Sequence, residues 1–178
     1  HAIDGGATGT DEKWSHTWVT YDEAIAAVSK QHAAGIGFRI PMGYFFLDID
    51  HRELSDPLVQ TLFARFDSYA ESSVSGSGIH QYGKCDFTKL PTFVDKDGKT
   101  RLDKQFYQKN PNNELELYVG GITNRFAAFT GNVIEDKPLR ECTTAVLTTL
   151  DKDMRRKAKS KFSAKRDGDQ ADFDVVCN

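Results

Sequence analysis

Residues 44–52 read YFFLDIDHR, and this stretch decides how we interpret the fold. Four large apolar residues followed by two aspartates, one residue apart, predict a core strand that ends in charge. Residues i and i+2 of a strand point to the same face about 6.5 Å apart, so Asp48 and Asp50 are expected to converge. Because an unpaired buried carboxylate is costly, the stretch predicts a partner for these charges.

The spacing of the two aspartates carries little information by itself. The pattern Asp-x-Asp occurs at five places, 48/50, 95/97, 151/153, 167/169 and 172/174. We interpret the other four pairs as solvated, since none of them follows a run of large apolar residues. For Asp48 and Asp50 we favour a hard divalent cation, because Mg²⁺ and Mn²⁺ prefer oxygen ligands and remove the repulsion between carboxylates. The alternative is an ion pair with His51 or Arg52.

The composition is that of an ordinary folded domain. The chain has 178 residues, of which 39% are hydrophobic, and is long enough to bury one core. Its net charge of -3 neither favours nor excludes a polyanionic partner, and three scattered cysteines are too few for a disulfide framework. No apolar run approaches the roughly 20 residues of a membrane helix, and the N-terminal residues do not resemble a secretion signal. We therefore expect a cytoplasmic protein with no membrane partner.

Helix signals occur at three places in the sequence. A capping-box pattern that begins at Thr20 precedes an Ala-rich segment, so we predict a first helix that ends near Gly35. Asp56 before Pro57 is typical of a helix start and predicts a second helix. A third, amphipathic helix is predicted over residues 139–160.

Strand signals fill the segments between these helices. We predict a hairpin over residues 38–49 and short strands near 72–75 and 79–83, with a turn at 94–99. The segment LELYVG (115–120) is predicted to pair with NRFAAFTG (124–131). This order of signals predicts an α+β domain with a mostly antiparallel sheet.

The segment SVSGSGIHQYG, residues 73–83, combines small, flexible and hydroxyl-bearing residues ahead of a histidine. Glycines allow a backbone to turn its N–H groups toward an anion, and hydroxyls assist. We interpret Ser75, Ser77 and Gly78 as a phosphate-binding loop, with His80 on the strand that leaves it. A plain hairpin turn is the alternative.

A further carboxylate, Glu116 in LELYVG, lies on the wet face of a predicted core strand, and Arg125 follows nine residues later. A third carboxylate from a neighbouring strand suits a two-metal site, because metal ions about 3.5–4 Å apart need a bridging pair and another ligand. Glu114 is predicted to share the face of Glu116 and competes with it. Arg125 has the planar fork that clamps a phosphate through two hydrogen bonds.

Taken in this order, the three features resemble the catalytic core of the archaeo-eukaryotic primase superfamily, the primase-polymerases, and in particular its bacterial, phage and plasmid branch. LDID matches the first motif at Asp48 and Asp50, Gly78-Ile79-His80 matches the second, and Leu115-Glu116 matches the third. A lead-in at residues 18–24 and the segment NRFAAFTGN resemble the flanks of the motifs in this branch. The resemblance covers roughly residues 14–135.

The resemblance implies an RRM-like sheet with flanking helices and a small N-terminal αβ unit. It implies a two-metal site of Mg²⁺ or Mn²⁺ ions held by Asp48, Asp50 and Glu116. It also implies that the nucleotide triphosphate is bound by the following residues: Ser75, Ser77, Gly78, His80, Lys84 and Arg125.

The activity implied is that of a DNA primase and polymerase, which transfers nucleotides from NTPs or dNTPs to a 3′-hydroxyl under the direction of a template. The implied setting is replication or repair of a phage, plasmid or other mobile element in a bacterial host. Single-stranded or primed DNA is the implied partner, together with a helicase or another replication domain in the full-length protein.

For the domain organisation we predict a catalytic domain over residues 14–138 after a flexible segment, 1–13. The C-terminal helix, 139–160, is followed by a polar tail or linker, 161–178. Residues 152–166 hold eight Lys or Arg residues. We favour a solvated helix end for this basic segment over an arm that contacts phosphates.

Two other functions stay open. The chain could be a nucleotide- or DNA-binding module of a larger replication or CRISPR-associated assembly, without polymerase activity of its own. It could also be a glycosyltransferase with a metal-binding Asp-x-Asp motif. The second option is disfavoured because such enzymes usually carry the motif beside a Rossmann-like sheet, which this chain is too short and too antiparallel to form easily.

Overall fold

The computed structural model of the protein describes residues 8–30, 32–33 and 35–157. The fold is a mixed α+β fold with a mostly antiparallel sheet, as the sequence predicts. Its helices are α1 (Tyr21–Lys30), α2 (Pro57–Phe66) and α3 (Thr143–Asp153), with short 3-10 helices at Glu12–Thr17 and Phe87–Lys89. Its strands are β1 (Ile36–Arg39), β2 (Tyr44–Ile49), β3 (Ala70–Ser72), β4 (Ile79–Lys84), β5 (Thr92–Val94), β6 (Thr100–Leu102), β7 (Lys109–Asn110), β8 (Leu115–Val119), β9 (Phe126–Phe129) and β10 (Val133–Glu135).

The main sheet has six strands in the order β10-β3-β4-β2-β8-β7, and each neighbouring pair is antiparallel. Strand β2 lies near the centre and alternates its side chains between the two faces. Phe45, Leu47 and Ile49 join the core that α2 and α3 cover. Phe46 and Asp48 point to the opposite face. We call these the helix-side face and the open face.

The first two helices begin where the sequence predicts, but the third begins later, and the first and third end earlier than predicted. The carboxylate of Asp56 accepts a hydrogen bond from the N–H of Leu58 at 2.7 Å, which caps α2 as expected. The first helix ends at Lys30, short of the predicted end at Gly35. Helix α3 covers Thr143–Asp153 instead of 139–160, and residues 158–160 lie outside the described part. No helix in residues 8–30, 32–33 and 35–157 is long and apolar enough to cross a membrane.

Two predicted strand pairings are wrong, and both errors involve the small sheet on the open face. Strand β1 pairs with β9 instead of forming a hairpin with β2, and β9 pairs with β1 instead of β8. Both edges of β2 are occupied by β4 and β8, so β1 finds its partner elsewhere. Phe38 of β1 packs on a cluster that includes Phe46, Tyr82 and Tyr118. The small sheet therefore covers part of the open face.

The predicted strand near residues 72–75 is also displaced. Strand β3 ends at Ser72, and residues 73–78 form the loop that joins it to β4. The turn predicted at 94–99 is confirmed, because β5 and β6 form a hairpin around it. The first predicted segment, 1–13, is described only from residue 8, and the predicted tail, 161–178, lies outside the described residues.

Candidate active site

A row of polar side chains crosses five strands of the main sheet. Asp48 on β2 lies directly opposite His80 on β4 and Glu116 on β8. The row continues through Glu71 on β3, which is opposite His80, and Lys109 on β7, which is opposite Glu116. Cross-strand neighbours point to the same face, so the five side chains lie side by side. We call this set the polar row.

Asp48 occupies the centre of the polar row. Its side chain is 17% exposed, and its Oδ1 has no hydrogen-bond partner among the residues described. The Nε2 atom of His80 lies 3.7 Å from this oxygen, beyond hydrogen-bonding distance. Burial, together with the charges of Asp50 and Glu116, raises the pKa of Asp48 to about 7. The oxygen is thus a strong acceptor that a proton or a cation would satisfy.

Glu116 is held in its ionised form by its neighbours. Its carboxylate accepts hydrogen bonds from the Tyr118 hydroxyl and from the Lys109 ammonium, the latter at 2.5 Å. Burial alone would raise its pKa, but these hydrogen bonds outweigh burial and lower it. The rival Glu114 has a positive φ of 58° just before β8 and is exposed. The alternation of β8 therefore does not extend to Glu114, and Glu116 is the carboxylate that faces Asp48.

Arg125, in the segment before β9, reaches the carboxylate of Glu116. Its guanidinium lies 4.7 Å from the centroid of the Tyr118 ring, and its Nη2 is 4.0 Å from Oε2 of Glu116. Its side chain is 47% exposed. A guanidinium supported by an aromatic face and open to solvent on its other side is well placed to bind an anion.

His80 is buried between its neighbours in the polar row and the aromatic residues Phe46 and Tyr82. Its Nδ1 lies 3.3 Å from the Tyr82 hydroxyl and 3.6 Å from Oε1 of Glu71, and its ring meets that of Phe46 edge-on at 5.0 Å. Burial lowers the pKa of His80, although Glu71 acts in the opposite direction. A neutral imidazole is therefore favoured at pH 7, with Nε2 turned toward Asp48.

Glu71 is the main component of the site that our sequence analysis missed. It is fully buried and accepts hydrogen bonds at 2.9 to 3.1 Å. The donors are the hydroxyls of Tyr69 and Tyr82 and the N–H groups of Thr130 and Gly131. The alternation of Tyr69 and Glu71 in the sequence YAES is the signal that could have placed Glu71 on this face. Lys109 was also missed, because a two-residue strand leaves no pattern.

The loop over residues 73–78 lies beside Asp50, at the end of β2. The N–H of Gly78 donates to Oγ of Ser73 at 3.0 Å, which closes the loop. A Cβ at Gly78 would lie 2.9 Å from the carbonyl oxygen of Ile49 and 3.5 Å from Oδ1 of Asp50. Only glycine allows this approach, so Gly78 holds the loop against the carboxylate.

The hydroxyls of the two predicted phosphate-binding serines lie on the outside of this loop. Ser75 and Ser77 are both exposed, and their Oγ atoms hydrogen-bond to each other at 2.8 Å. The loop connects β3 to β4, which pair as a hairpin. Its serines are available to a ligand that approaches Asp50 from solvent.

The structure does not bring Lys84 to the polar row. Lys84 lies opposite Tyr44 at the other end of β4, four residues or roughly 13 Å from His80. We therefore leave it out of the site. The alternative partner Arg52 is also accounted for elsewhere, because it pairs with Asp56 at 2.6 Å.

Two of the aspartate pairs that we interpreted as solvated are not fully so. Asp95 pairs with Arg101 at 2.8 Å, and its side chain is only 19% exposed. Asp153 forms an ion pair with Arg65 at 2.5 Å, and its side chain is only 15% exposed. The ion pair between Asp153 and Arg65 joins the end of α3 to α2. Spacing and local composition did not reveal it, because the partner is 88 residues away.

The oxygen donors of the site fit hard cations. Within the described part of the chain, no three His, Cys, Asp or Glu side chains are grouped closely enough to enclose a metal ion as they stand. The carboxylates of Asp48 and Glu116 nevertheless lie side by side, with Asp50 two residues along. The unpartnered Oδ1 of Asp48 is the atom that a cation would satisfy.

A cavity of about 600 Å³ lies elsewhere on the open face. It is lined mainly by aromatic side chains, which are Phe38, Tyr44, Phe45, Tyr69, Tyr82 and Phe129. Tyr44 is four residues from Asp48 along β2, so the cavity lies toward the opposite end of the strand. Tyr69 and Tyr82, which line it, also donate hydrogen bonds to Glu71 at the near end of the polar row.

Comparison of the chain with known protein-family models and with curated proteins gave no match.

Proposed function

We propose that the chain is the catalytic core of a primase-polymerase. It would transfer nucleotides from NTPs or dNTPs to a 3′-hydroxyl on a DNA template, in the replication or repair of a phage, plasmid or other mobile element. One observation carries this proposal. Asp48, His80 and Glu116 come from three motifs spaced 32 and 36 residues apart in sequence, and they occupy directly opposed positions on three adjacent strands.

The strand order supports an RRM-like core within this proposal. Strands β3, β4, β2 and β8 are adjacent, and α2 joins β2 to β3 with β4 between them, which is a split βαβ arrangement. The chain departs from the simple RRM pattern between β4 and β8, where it forms the β5–β6 hairpin instead of a second helix. Helix α3 follows β10 and contacts α2. The antiparallel sheet also argues against a glycosyltransferase of the Rossmann type.

Asp48, Asp50 and Glu116 would hold two Mg²⁺ or Mn²⁺ ions. Such ions lower the pKa of the attacking hydroxyl and shield the charge of the leaving pyrophosphate. The protein keeps Glu116 ionised through Lys109 and Tyr118, and it keeps Asp48 partly buried with one oxygen unpaired. Two carboxylates, one held ionised by its neighbours and one with an unpaired oxygen, are thus positioned on the same face.

The groups around these carboxylates would bind the nucleotide. Arg125 offers a charged guanidinium next to Glu116, and His80 offers a neutral ring nitrogen next to Asp48. Ser75 and Ser77 add hydroxyls from the loop beside Asp50. Both sides of the central carboxylate therefore carry groups that suit phosphate oxygens.

The test is primer extension on a single-stranded template with Mg²⁺ or Mn²⁺. We expect wild-type protein to extend the primer and the double variant Asp48→Asn with Asp50→Asn to be inactive. The matched control is Asp167→Asn with Asp169→Asn, which alters a pair of the same spacing and is expected to keep activity. Full activity of the Asp48/Asp50 variant would refute the proposal.

A second candidate is a binding module without polymerase activity. It would use the same polar row for binding and would act only as part of a larger replication or CRISPR-associated assembly. In that case wild-type protein would bind primed DNA and dNTPs in titration calorimetry but would not extend the primer under any metal condition.

A further inference from the structure

The sequence predicted that the third helix continues into the basic segment as far as residue 160, but in the structure it does not. The helix ends at Asp153, and the chain then runs alongside the segment that leads into β7. The N–H of Tyr107 donates to the carbonyl of Met154 at 2.7 Å. The N–H of Arg156 donates to the carbonyl of Gln105 at 2.8 Å. The first basic residues after the helix are therefore fixed at the edge of the main sheet.

This path places two arginines on aromatic rings. The guanidinium of Arg155 lies 5.0 Å from the centroid of the Phe106 ring, and that of Arg156 lies 4.1 Å from the Tyr107 ring. The Nε of Arg156 also donates to the carbonyl of Phe106 at 3.2 Å. Stacking restricts these long side chains, so less conformational entropy is lost when they bind an anion.

Most of the positive charge at this edge is not neutralised by nearby acids. Arg155 pairs with Asp151 at 2.5 Å. Among the residues that the structure describes, Lys104, Arg156 and Lys157 form no ion pair. These charges lie next to the strand whose Lys109 contacts Glu116 of the polar row.

We propose that this edge binds the phosphate backbone of single-stranded DNA and leads it to the polar row. We call it the basic edge, and it consists of Lys104, Lys109, Arg155, Arg156 and Lys157. The inference rests on the proposed function, because the DNA is its template. A track of guanidinium and ammonium groups, two of them held in place on aromatic rings, suits the regularly spaced phosphates of a nucleic-acid backbone.

The chemistry of the edge favours nucleic acid over a membrane surface. Peripheral membrane binding needs apolar side chains that insert between lipids as well as basic ones. None of the large apolar side chains found exposed in the described residues lies in 101–109 or 151–157. The rings of Phe106 and Tyr107 are covered by arginines on one side and join the core on the other.

The test measures how tightly two triple variants bind a fluorescent oligothymidylate of 20 nucleotides. Binding is measured by fluorescence anisotropy, without added dNTP or metal ions. The first is Lys104→Gln, Arg156→Gln and Lys157→Gln. The second is Lys13→Gln, Lys30→Gln and Lys89→Gln, which removes the same charge from other elements. We expect the first variant to bind about tenfold more weakly, with a slope of log K against log salt that is smaller by about 2, and the second to resemble wild type.

Equal losses in both variants would overturn the proposal, since they would reflect net charge alone, and unchanged binding by the first variant would overturn it too. Anionic phosphatidylserine vesicles serve as the competing ligand. If wild-type protein binds the vesicles but not the oligonucleotide, and the first variant loses binding to the vesicles, the basic edge is a membrane-binding surface instead. Thermal unfolding of each variant verifies that the fold is intact.

Failure of the proposed function can be told apart from failure of the basic edge. If wild-type protein fails to extend primers but the first variant alone loses DNA binding, the polymerase proposal is wrong and the basic edge stands. If the Asp48/Asp50 variant loses extension while the first variant binds DNA like wild type, the basic edge is wrong and the polymerase proposal stands.

Discussion

The helix-side face and the open face of the main sheet are made from alternate residues of the same strands, yet their chemistry is opposite. On β2, Leu47 and Ile49 are fully buried against the helices, whereas Asp48 between them has an unpaired oxygen. Burial of apolar surface on the helix-side face stabilises the fold. Asp48 at the centre of the polar row costs stability, because its carboxylate is partly desolvated and one of its oxygens has no partner among the described residues. This cost is consistent with the proposal that the open face carries the site.

Gln81 is an exception to this contrast on the helix-side face. Gln81 is fully buried there between Leu47 and Ala70, and neither atom of its amide has a hydrogen-bond partner among the described residues. Nothing in the structure explains this choice of residue.

The largest expected effect is on the helix-side face. Leu47→Ala removes a fully buried side chain and is expected to lower the free energy of unfolding by about 2–5 kcal/mol. Asp48→Ala on the same strand is expected to produce no loss of this size at pH 8. Urea unfolding of both variants measures the difference. Similar losses at the two positions would mean that the two faces contribute alike to stability.

The next effect concerns the pH dependence that Asp48 introduces. Its pKa is about 7 in the folded protein and about 3.9 in an unfolded chain. The unfolded chain therefore releases the proton first, and the folded state loses stability as pH rises from about 4 to about 7. Asp48→Asn removes this loss, so it is expected to stabilise the protein at pH 8 by up to about 4 kcal/mol and to have little effect below pH 4.

Urea unfolding at pH 3.5 and pH 8, without added metal, measures this effect. The control is Asp97→Asn, which alters an exposed aspartate in the β5–β6 turn. A gain from Asp48→Asn that is the same at both pH values would contradict the assignment.

A smaller effect is expected within the hydrogen bonds around Glu71. Glu71→Gln keeps the volume but turns an amide N–H₂ toward backbone donors, so we expect a loss of about 1–3 kcal/mol in unfolding free energy. The ¹⁵N chemical shifts of the His80 ring should also change, because Nδ1 loses a carboxylate neighbour. Tyr69→Phe removes one donor only and serves as the control. Unaltered shifts in Glu71→Gln would show that Glu71 does not orient the histidine.

The smallest effects compare two cations of the open face in nucleotide binding. Arg125→Gln is expected to weaken dNTP affinity about tenfold, which corresponds to about 1.4 kcal/mol. Lys84→Gln is expected to leave it unchanged, because Lys84 lies at the far end of β4. Titration calorimetry with Mn²⁺ measures both. A larger loss for Lys84 than for Arg125 would mean that the nucleotide lies along the other half of the strand.

The parts of the molecule that depend on local sequence were predicted well. Asp56 caps α2, and β2, β4 and β8 lie where alternation placed them. The three motif residues were therefore assigned to the correct strands. Strand pairing was not predictable in the same way, because a strand pattern does not name its partner. The pairing of β1 with β9 spans about 90 residues and follows from the occupation of both edges of β2.

Residues that act through distant neighbours were missed for the same reason. Glu71 gains its importance from donors near residues 130 and 131, and Asp153 from Arg65. For Lys84 the limit was different. The resemblance implied a nucleotide contact, and Lys84 does share the face of His80, but alternation fixes only the face and not the position along the strand. Position became clear only from the register with β2.

The contact between Gly78 and the end of β2 limits how this region can vary. A side chain at position 78 would push the loop away from the Ile49 carbonyl, and the Asp50 carboxylate would lose its neighbour. At Gly76 a Cβ would meet nothing within 4 Å, although its φ of +75° still favours glycine. Insertions are therefore tolerable at the outer tip of the loop but not at its inner end. Engineering of the loop to recognise a different ligand has to begin from residues 74–77 and leave Gly78 in place.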